Sequence, residues 1–280
     1  MAFNWQTFRT RTGTAIIFAV VMLAGLLWNQ WLFLLLFSII HFGCWYEYQQ
    51  LLEKIDPDYK QITPFHRYGV MIAGWCILLF FTGNDSFSDV LSLHAIAWWV
   101  GLVLILVLPI MELLFSRHIN LRNIRHSILG LLYISLSFGL LVQMRWEDLR
   151  LPILIIFSIW INDTMAYIVG SLIGKTPLST ISPKKTWEGT IGGIMLSVLV
   201  MAIVVYTTNY FYSLTHSVII ALIAAVAGTF GDLLESKVKR MANVKDSGSF
   251  MPGHGGFLDR FDSILLATPF VWIYVNLFLR

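Results

Sequence analysis

Apolar residues along this chain come in long, nearly unbroken runs separated by short polar stretches. Nine such runs stand out: Gly13–Trp28, Trp31–Tyr48, Tyr68–Thr82, Val90–Phe115, Ser127–Met144, Leu151–Ile173, Gly189–Thr207, His216–Leu234 and Ser263–Leu279. A helix rises about 1.5 Å per residue, so about 20 apolar residues cross the roughly 30 Å hydrocarbon core of a bilayer. The pattern therefore predicts an all-α polytopic membrane protein with about nine transmembrane helices. Tyr68–Thr82 is the shortest of the nine. Gly13–Trp28 resembles the core of a signal peptide, but a second apolar run follows at once with no small-residue cleavage site between, so it is expected to stay as a helix.

Composition agrees with the pattern. The 280 residues are 57% hydrophobic and only 12% charged, against about 25% charged in an ordinary soluble domain. Such a chain cannot cover itself with water-compatible surface. Its two cysteines, Cys44 and Cys76, both lie inside apolar runs and form neither a disulfide framework nor a metal-spaced group.

Charge adds an orientation. Lys and Arg in short loops mark the cytosolic side. With a cytosolic N-terminus, sixteen of the nineteen fall on that side: Arg9, Arg11, Lys54, Lys60, Arg67, Arg117, Arg122, Arg125, Lys175, Lys184, Lys185, Lys237, Lys239, Arg240, Lys245 and Arg260. Only Arg145, Arg150 and Arg280 remain outside, and the outer loop with Asp85 and Asp89 has no cation. Removing or adding one span would scramble this alternation. The net charge of +3 is thus a topology signal and gives no reason to expect a nucleic-acid partner.

Ionisable groups inside or beside spans are expensive and mark candidate chemistry. Three clusters stand out, all in the last 130 residues, dividing the chain into N-terminal membrane helices (residues 1–150, spans one to five) and a catalytic membrane region (151–280, spans six to nine). The first is Asn162-Asp163 within the sixth run, expected to face a cavity or a cation; a satisfied interhelical hydrogen bond is the plainer alternative. The second is the loop carrying Lys175 and the string Ser182-Pro183-Lys184-Lys185-Thr186-Trp187-Glu188-Gly189. Ser182 before Pro183 reads there as a helix N-cap, whose free amides, with the two lysines, suit an anion. A positive loop that sets topology and starts a helix is the plain reading of the same residues. The third runs from Gly228 to Asp262. If the eighth helix continues past its apolar part, Asp232, Glu235, Ser236 and Lys239 share one face where it leaves the membrane. Beyond them, glycines surround His254, a proton donor or a mere capping residue. Carboxylates with a hydroxyl suit Mg²⁺, while Lys245 and Arg260 suit phosphates.

Ser236-x-Val238-Lys239-Arg240, Lys245-Asp246-x-Gly248 and Pro252-x-His254-Gly255-Gly256-Phe257-x-Asp259-Arg260-Phe261-Asp262 together resemble the signature of the phosphatidate cytidylyltransferases. Gly231-Asp232-Leu233-x-Glu235-Ser236 and the Ser182–Gly189 string look like motifs of the same family. The likeness is clear from about Leu151 to Asp262 and only hydropathic before that. It implies that CTP and phosphatidic acid give CDP-diacylglycerol and pyrophosphate in phospholipid biosynthesis, with Mg²⁺ as cofactor. Whether a monovalent cation such as K⁺ accompanies it is left open. It implies metal ligation by Asp232 and Asp259 with Ser236 beside them, and a catalytic set of Asp232, Asp259, Lys239 and His254. Asn162, Asp163, Lys175, Ser182, Lys184, Lys185, Glu188, Lys245 and Arg260 are then the candidates for holding CTP and its phosphates. A homodimer in the lipid bilayer, at a bacterial inner membrane with its site facing the cytosol, is expected on the same grounds. Two rivals stand beside it: a CTP-dependent polyprenol kinase and a cation-coupled transporter. Against the transporter, no inverted repeat of broken spans is visible. The Gly189-x-x-Gly192-Gly193 run is most simply helix packing.

Overall fold

A computed structural model describes residues 5–83, 92–115, 121–250 and 255–280, with side chains in the first helix from Thr12 onward. Among these residues the elements are helical: α1 Trp5–Leu27, α2 Gln30–Ile55, α3 Pro64–Phe80, α4 Leu93–Phe115, α5 Leu121–Glu147, α6 Arg150–Ile173, α7 Trp187–Thr208, α8 Leu214–Met241 and α9 Leu258–Phe278. A short 3₁₀ turn, Pro57–Gln61, links α2 to α3. Seven helices (α2 and α4 to α9) are long and apolar enough to cross a membrane, and the apolar part of α1, Thr12–Leu27, is shorter. At 17 residues, α3 spans only about 25 Å. The protein is an all-α polytopic membrane protein, and each of the nine apolar runs corresponds to one helix. Arg117, the outer loop with Asp85 and Asp89, and His254 lie outside the described residues.

The chain separates into two compact units, Met1–Glu147 with Met241–Arg260, and Asp148–Arg240 with Phe261–Arg280. In the first, α2 supplies much of the core. Phe33, Phe37, Cys44 and Trp45 are fully buried, and Phe37 meets Phe138 of α5 edge to face at 5.5 Å. Asn29 caps α2 by accepting from Leu32 N at 2.8 Å, and Thr63 caps α3 by accepting from His66 N at 3.1 Å with Pro64 in the first turn. Trp45 Nε1 and His41 Nε2 both lie 2.9 Å from Ser135 Oγ. That serine sits in a π-helical stretch of α5, Leu131–Leu136, a widened turn that aims one side chain differently from a regular helix. By contrast, α4 exposes Trp99, Leu106 and Leu114. On a water-facing surface such a patch would be an aggregation hazard, whereas in hydrocarbon it is the ordinary lipid face.

In the second unit, α6 and α7 approach closely because small residues line both. A Cβ at Gly193 would lie 2.7 Å from the Ala166 Cβ, and one at Gly192 would lie 2.6 Å from a Val169 methyl. Ser197 Oγ donates to Ser158 O at 2.8 Å across the same pair. The glycine run therefore serves helix packing, as its spacing suggests.

The start of α7 corrects the sequence reading. The N-cap is Thr186, whose hydroxyl accepts from Gly189 N at 3.1 Å; Ser182 is not the cap. Pro177 and Thr186 pair as an antiparallel bridge, Leu178 N bonds to Lys185 O at 2.8 Å, and Trp187 N bonds to Thr176 O at 2.9 Å. This pairing turns the Ser182–Lys185 stretch into the tip of a hairpin, closed by Lys185 N to Ser182 O at 3.1 Å. Pro183 thus takes the second position of a tight turn, which its fixed φ suits as well as a first helical turn.

Candidate active site

At 28 residues, α8 is about 42 Å long, so its last two turns extend beyond the hydrocarbon core. The third polar cluster lies on that extension. Ser236 Oγ donates to Asp232 Oδ1 at 3.2 Å, one helical turn apart. Asp232 Oδ2 pairs with the Lys185 ammonium, brought in by the hairpin before α7. Both side chains of this pair keep 29% of their surface exposed. Buried Asp262, on α9, interacts electrostatically with Asp232, Asp163 and Lys185. Gly231 allows this approach: a Cβ there would lie 2.5 Å from the backbone Asp262 O, so the backbones of α8 and α9 come this close only because residue 231 lacks one. Lys185 is thus paired with Asp232, and that pair lies within electrostatic reach of buried Asp262.

The neighbouring residues have more local tasks. Asn162 is buried; its Nδ2 reaches Thr229 Oγ1 at 3.4 Å and Asp163 Oδ1 at 3.5 Å, while its Oδ1 has no hydrogen-bond partner among the described residues. Asp163 is exposed. Glu188 clasps the hairpin's first strand, accepting from Lys175 N at 3.2 Å, Thr176 N at 3.2 Å and Thr176 Oγ1 at 2.9 Å. As an acid in the first turn of α7 it also suits the positive end of the helix. Lys239 pairs with Glu235, which is only 2% exposed, so its charge compensates a buried carboxylate. Ser182 is half-buried, while Lys175 and Lys184 are exposed.

In the other unit, Ser247 and residues 255–259 meet one another and α2. Asp259 Oδ2 accepts from Ser247 N at 2.8 Å, Ser247 Oγ at 2.9 Å and Gly256 N at 2.8 Å. Gly255 adopts φ +83°, which glycine reaches without strain. The carboxylate of Glu47, on α2, accepts from Phe257 N and Leu258 N at 2.8 and 2.9 Å and from Ser247 Oγ at 2.6 Å. Lys245 and Arg260 are exposed.

The profile of the cytidylyltransferase family matches residues 9–278. This chain belongs to that family. A phosphatidate cytidylyltransferase of Staphylococcus saprophyticus subsp. saprophyticus is 32% identical over 93% of this chain and 96% of its own length. One from Staphylococcus epidermidis is 38% identical over 51% of this chain and 55% of its own length. The signature residues that suggested the family thus sit in a chain that matches along nearly its whole length, including the helices where the likeness was only hydropathic.

A divalent cation, implied by the family resemblance, fits the oxygens at the end of α8. Among the described residues no group of three or more His, Cys, Asp or Glu is arranged to hold a metal by itself. Mg²⁺ does not need one, since it is commonly held by one or two carboxylates together with substrate phosphates. Asp232 and Ser236 supply such hard oxygens, and an ammonium already sits against Asp232.

Two residues of consequence escaped the sequence reading. Asp262 closes the third polar cluster and the signature but was given no role, although it is the buried acid near Asp232. Glu47 was passed over within the second apolar run. Its signal was present: a carboxylate inside a span is a functional candidate by default.

Proposed function

We propose that this protein transfers the cytidylyl group of CTP to phosphatidic acid, releasing pyrophosphate and leaving CDP-diacylglycerol in the bilayer. The observation that carries the reading is the Lys185–Asp232–Ser236 group with Asp262, where a loop lysine meets carboxylates at the end of a membrane helix. An oxygen of the phosphatidate phosphate attacks the α-phosphorus of CTP, and the bond from that phosphorus to the bridging oxygen of pyrophosphate breaks. The attacking oxygen is already ionised near neutral pH, so no general base is needed. The difficulty is repulsion between two polyanions and the charge on the departing group. Lys185 exchanges Asp232 for a substrate phosphate, and exposed Lys184 and Lys175 add attraction from the same loop. Asp232 and Ser236 would hold Mg²⁺, which would supply neutralisation of phosphate charge. Asp259 is proposed as a further ligand from the family resemblance, its Oδ2 already organising the turn around it.

The same reading places the N-terminus and the 174–186 hairpin in the cytosol, where CTP is found, at a bacterial inner membrane; the cation bias and the staphylococcal relatives support it. It also takes the active form to be a homodimer, which cross-linking of the purified protein would reveal. Purified protein given labelled CTP and phosphatidic acid should form a chloroform-soluble cytidine lipid with one pyrophosphate per turnover. Release of CDP with a phosphorylated polyprenol would establish the kinase instead.

A further inference from the structure

We propose that Glu47 is a positioning residue for this reaction: from α2 it holds Ser247 and the turn at 255–258 in place and, through Ser247, orients Asp259. The kinetic part of the proposal rests on the function proposed above, while the anchoring part does not.

Glu47 is 4% exposed. A buried carboxylate costs several kcal/mol unless it is well satisfied. Here it takes two backbone amides and a hydroxyl from a segment some 200 residues away in sequence. The sequence offers no local cap for α9, because Phe257 precedes Leu258 where Ser, Thr, Asp or Asn would normally stand. Glu47 does that work from a distance.

The backbone on both sides is built for the approach. A Cβ at Gly256 would lie 2.2 Å from the Glu47 carboxylate oxygens, and one at Gly248 would lie 2.3 Å from Oε1. One turn before Glu47, a Cβ at Gly43 would lie 2.4 Å from the Phe257 ring. Three glycines on two separate segments are therefore needed for one contact. Helix capping alone would not require the further link to Asp259. Ser247 Oγ has one proton to give and stands between Glu47 Oε2 at 2.6 Å and Asp259 Oδ2 at 2.9 Å, so a shift of Glu47 is passed to the acid that carries the proposed chemistry.

The test uses full-length protein in lipid nanodiscs. In Glu47→Gln an amide NH₂ replaces one acceptor oxygen. Hydrogen exchange at Phe257 and Leu258, measured without substrate, should accelerate about tenfold or more. The kcat for cytidine-lipid formation should fall about 30-fold, with KM for CTP changing less than about threefold. Glu47→Asp keeps the charge but is one methylene short, and should recover part of the kcat. A merely structural role predicts a lower Tm with unchanged kcat per folded molecule, and that result would overturn the proposal. So would lost turnover with unchanged exchange at both amides. If Glu47→Gln does not fold, Ser247→Ala decides: it cuts the link to Asp259 but leaves both amide contacts. It should lower kcat roughly three- to tenfold with exchange at Phe257 and Leu258 unchanged, and an unaltered kcat would refute the link. If the wild-type protein makes no cytidine lipid, the proposed function fails, and the exchange measurement alone judges the anchor.

Discussion

Replacing Asp232 by Asn separates a structural ion pair from a catalytic group. Asn keeps the size and one acceptor oxygen but removes the charge that faces Lys185. In a medium of intermediate dielectric two unit charges at contact attract by about 4 kcal/mol. Both partners here are 29% exposed, so solvent screens the pair. A net worth of about 1 kcal/mol is the appropriate scale. As pure structure, its loss would lower Tm by about 2–4 °C in a chain of this size and leave turnover nearly intact. As the group that holds the cation and hands Lys185 to a phosphate, its loss should cost roughly 10³-fold in kcat, about 4 kcal/mol. Pyrophosphate release in nanodiscs measures turnover, and thermal unfolding of the same samples measures stability. Lys185→Gln should raise KM for CTP more than KM for phosphatidic acid. The double variant discriminates further: two partners that serve only each other give a double mutant no worse than either single one. Folded Asp232→Asn protein with turnover within about threefold of wild type would refute the assignment.

Three further expectations follow from particular contacts. Gly193→Ala places a methyl 2.7 Å from the Ala166 Cβ and should destabilise the second unit by about 1–3 kcal/mol, read as a lower Tm in detergent. Single cysteines at Thr180 and Asn243, both exposed, should resist a membrane-impermeant thiol reagent in intact cells and react after lysis, with little background from buried Cys44 and Cys76; ready labelling from outside would reverse the topology. Burial alone would raise the Asp148 carboxyl, but bonds from the Arg150 guanidinium at 2.8 Å and the Tyr212 hydroxyl at 2.5 Å hold it below its ordinary value. A depressed value contributes stability above the unfolded-state pKa of about 4 and loses it as pH falls through the folded one, so Asp148→Asn should flatten the acid limb of the Tm–pH profile.

Hydropathy by itself determined the helices, because a bilayer demands long apolar runs whose backbone groups are satisfied within each segment. Every run became a helix, and α8 continues past its apolar part so that Ser236 reaches Asp232 one turn away, as their spacing implied. The signature residues determined the family for the same local reason: they lie close together along the chain. Contacts between distant segments were not legible. The cap of α7 moved from Ser182 to Thr186 because a bridge between Pro177 and Thr186 claimed the intervening residues for a turn. The partner of Asp232 proved to be Lys185, 47 residues away along the chain. Glu47 looked like one acid in an apolar span until folding brought Ser247, Phe257 and Leu258 to it. Periodicity records which face of a helix is apolar, but which polar group meets which across 47 or 200 residues depends on how helices pack, and only the tertiary structure decides that.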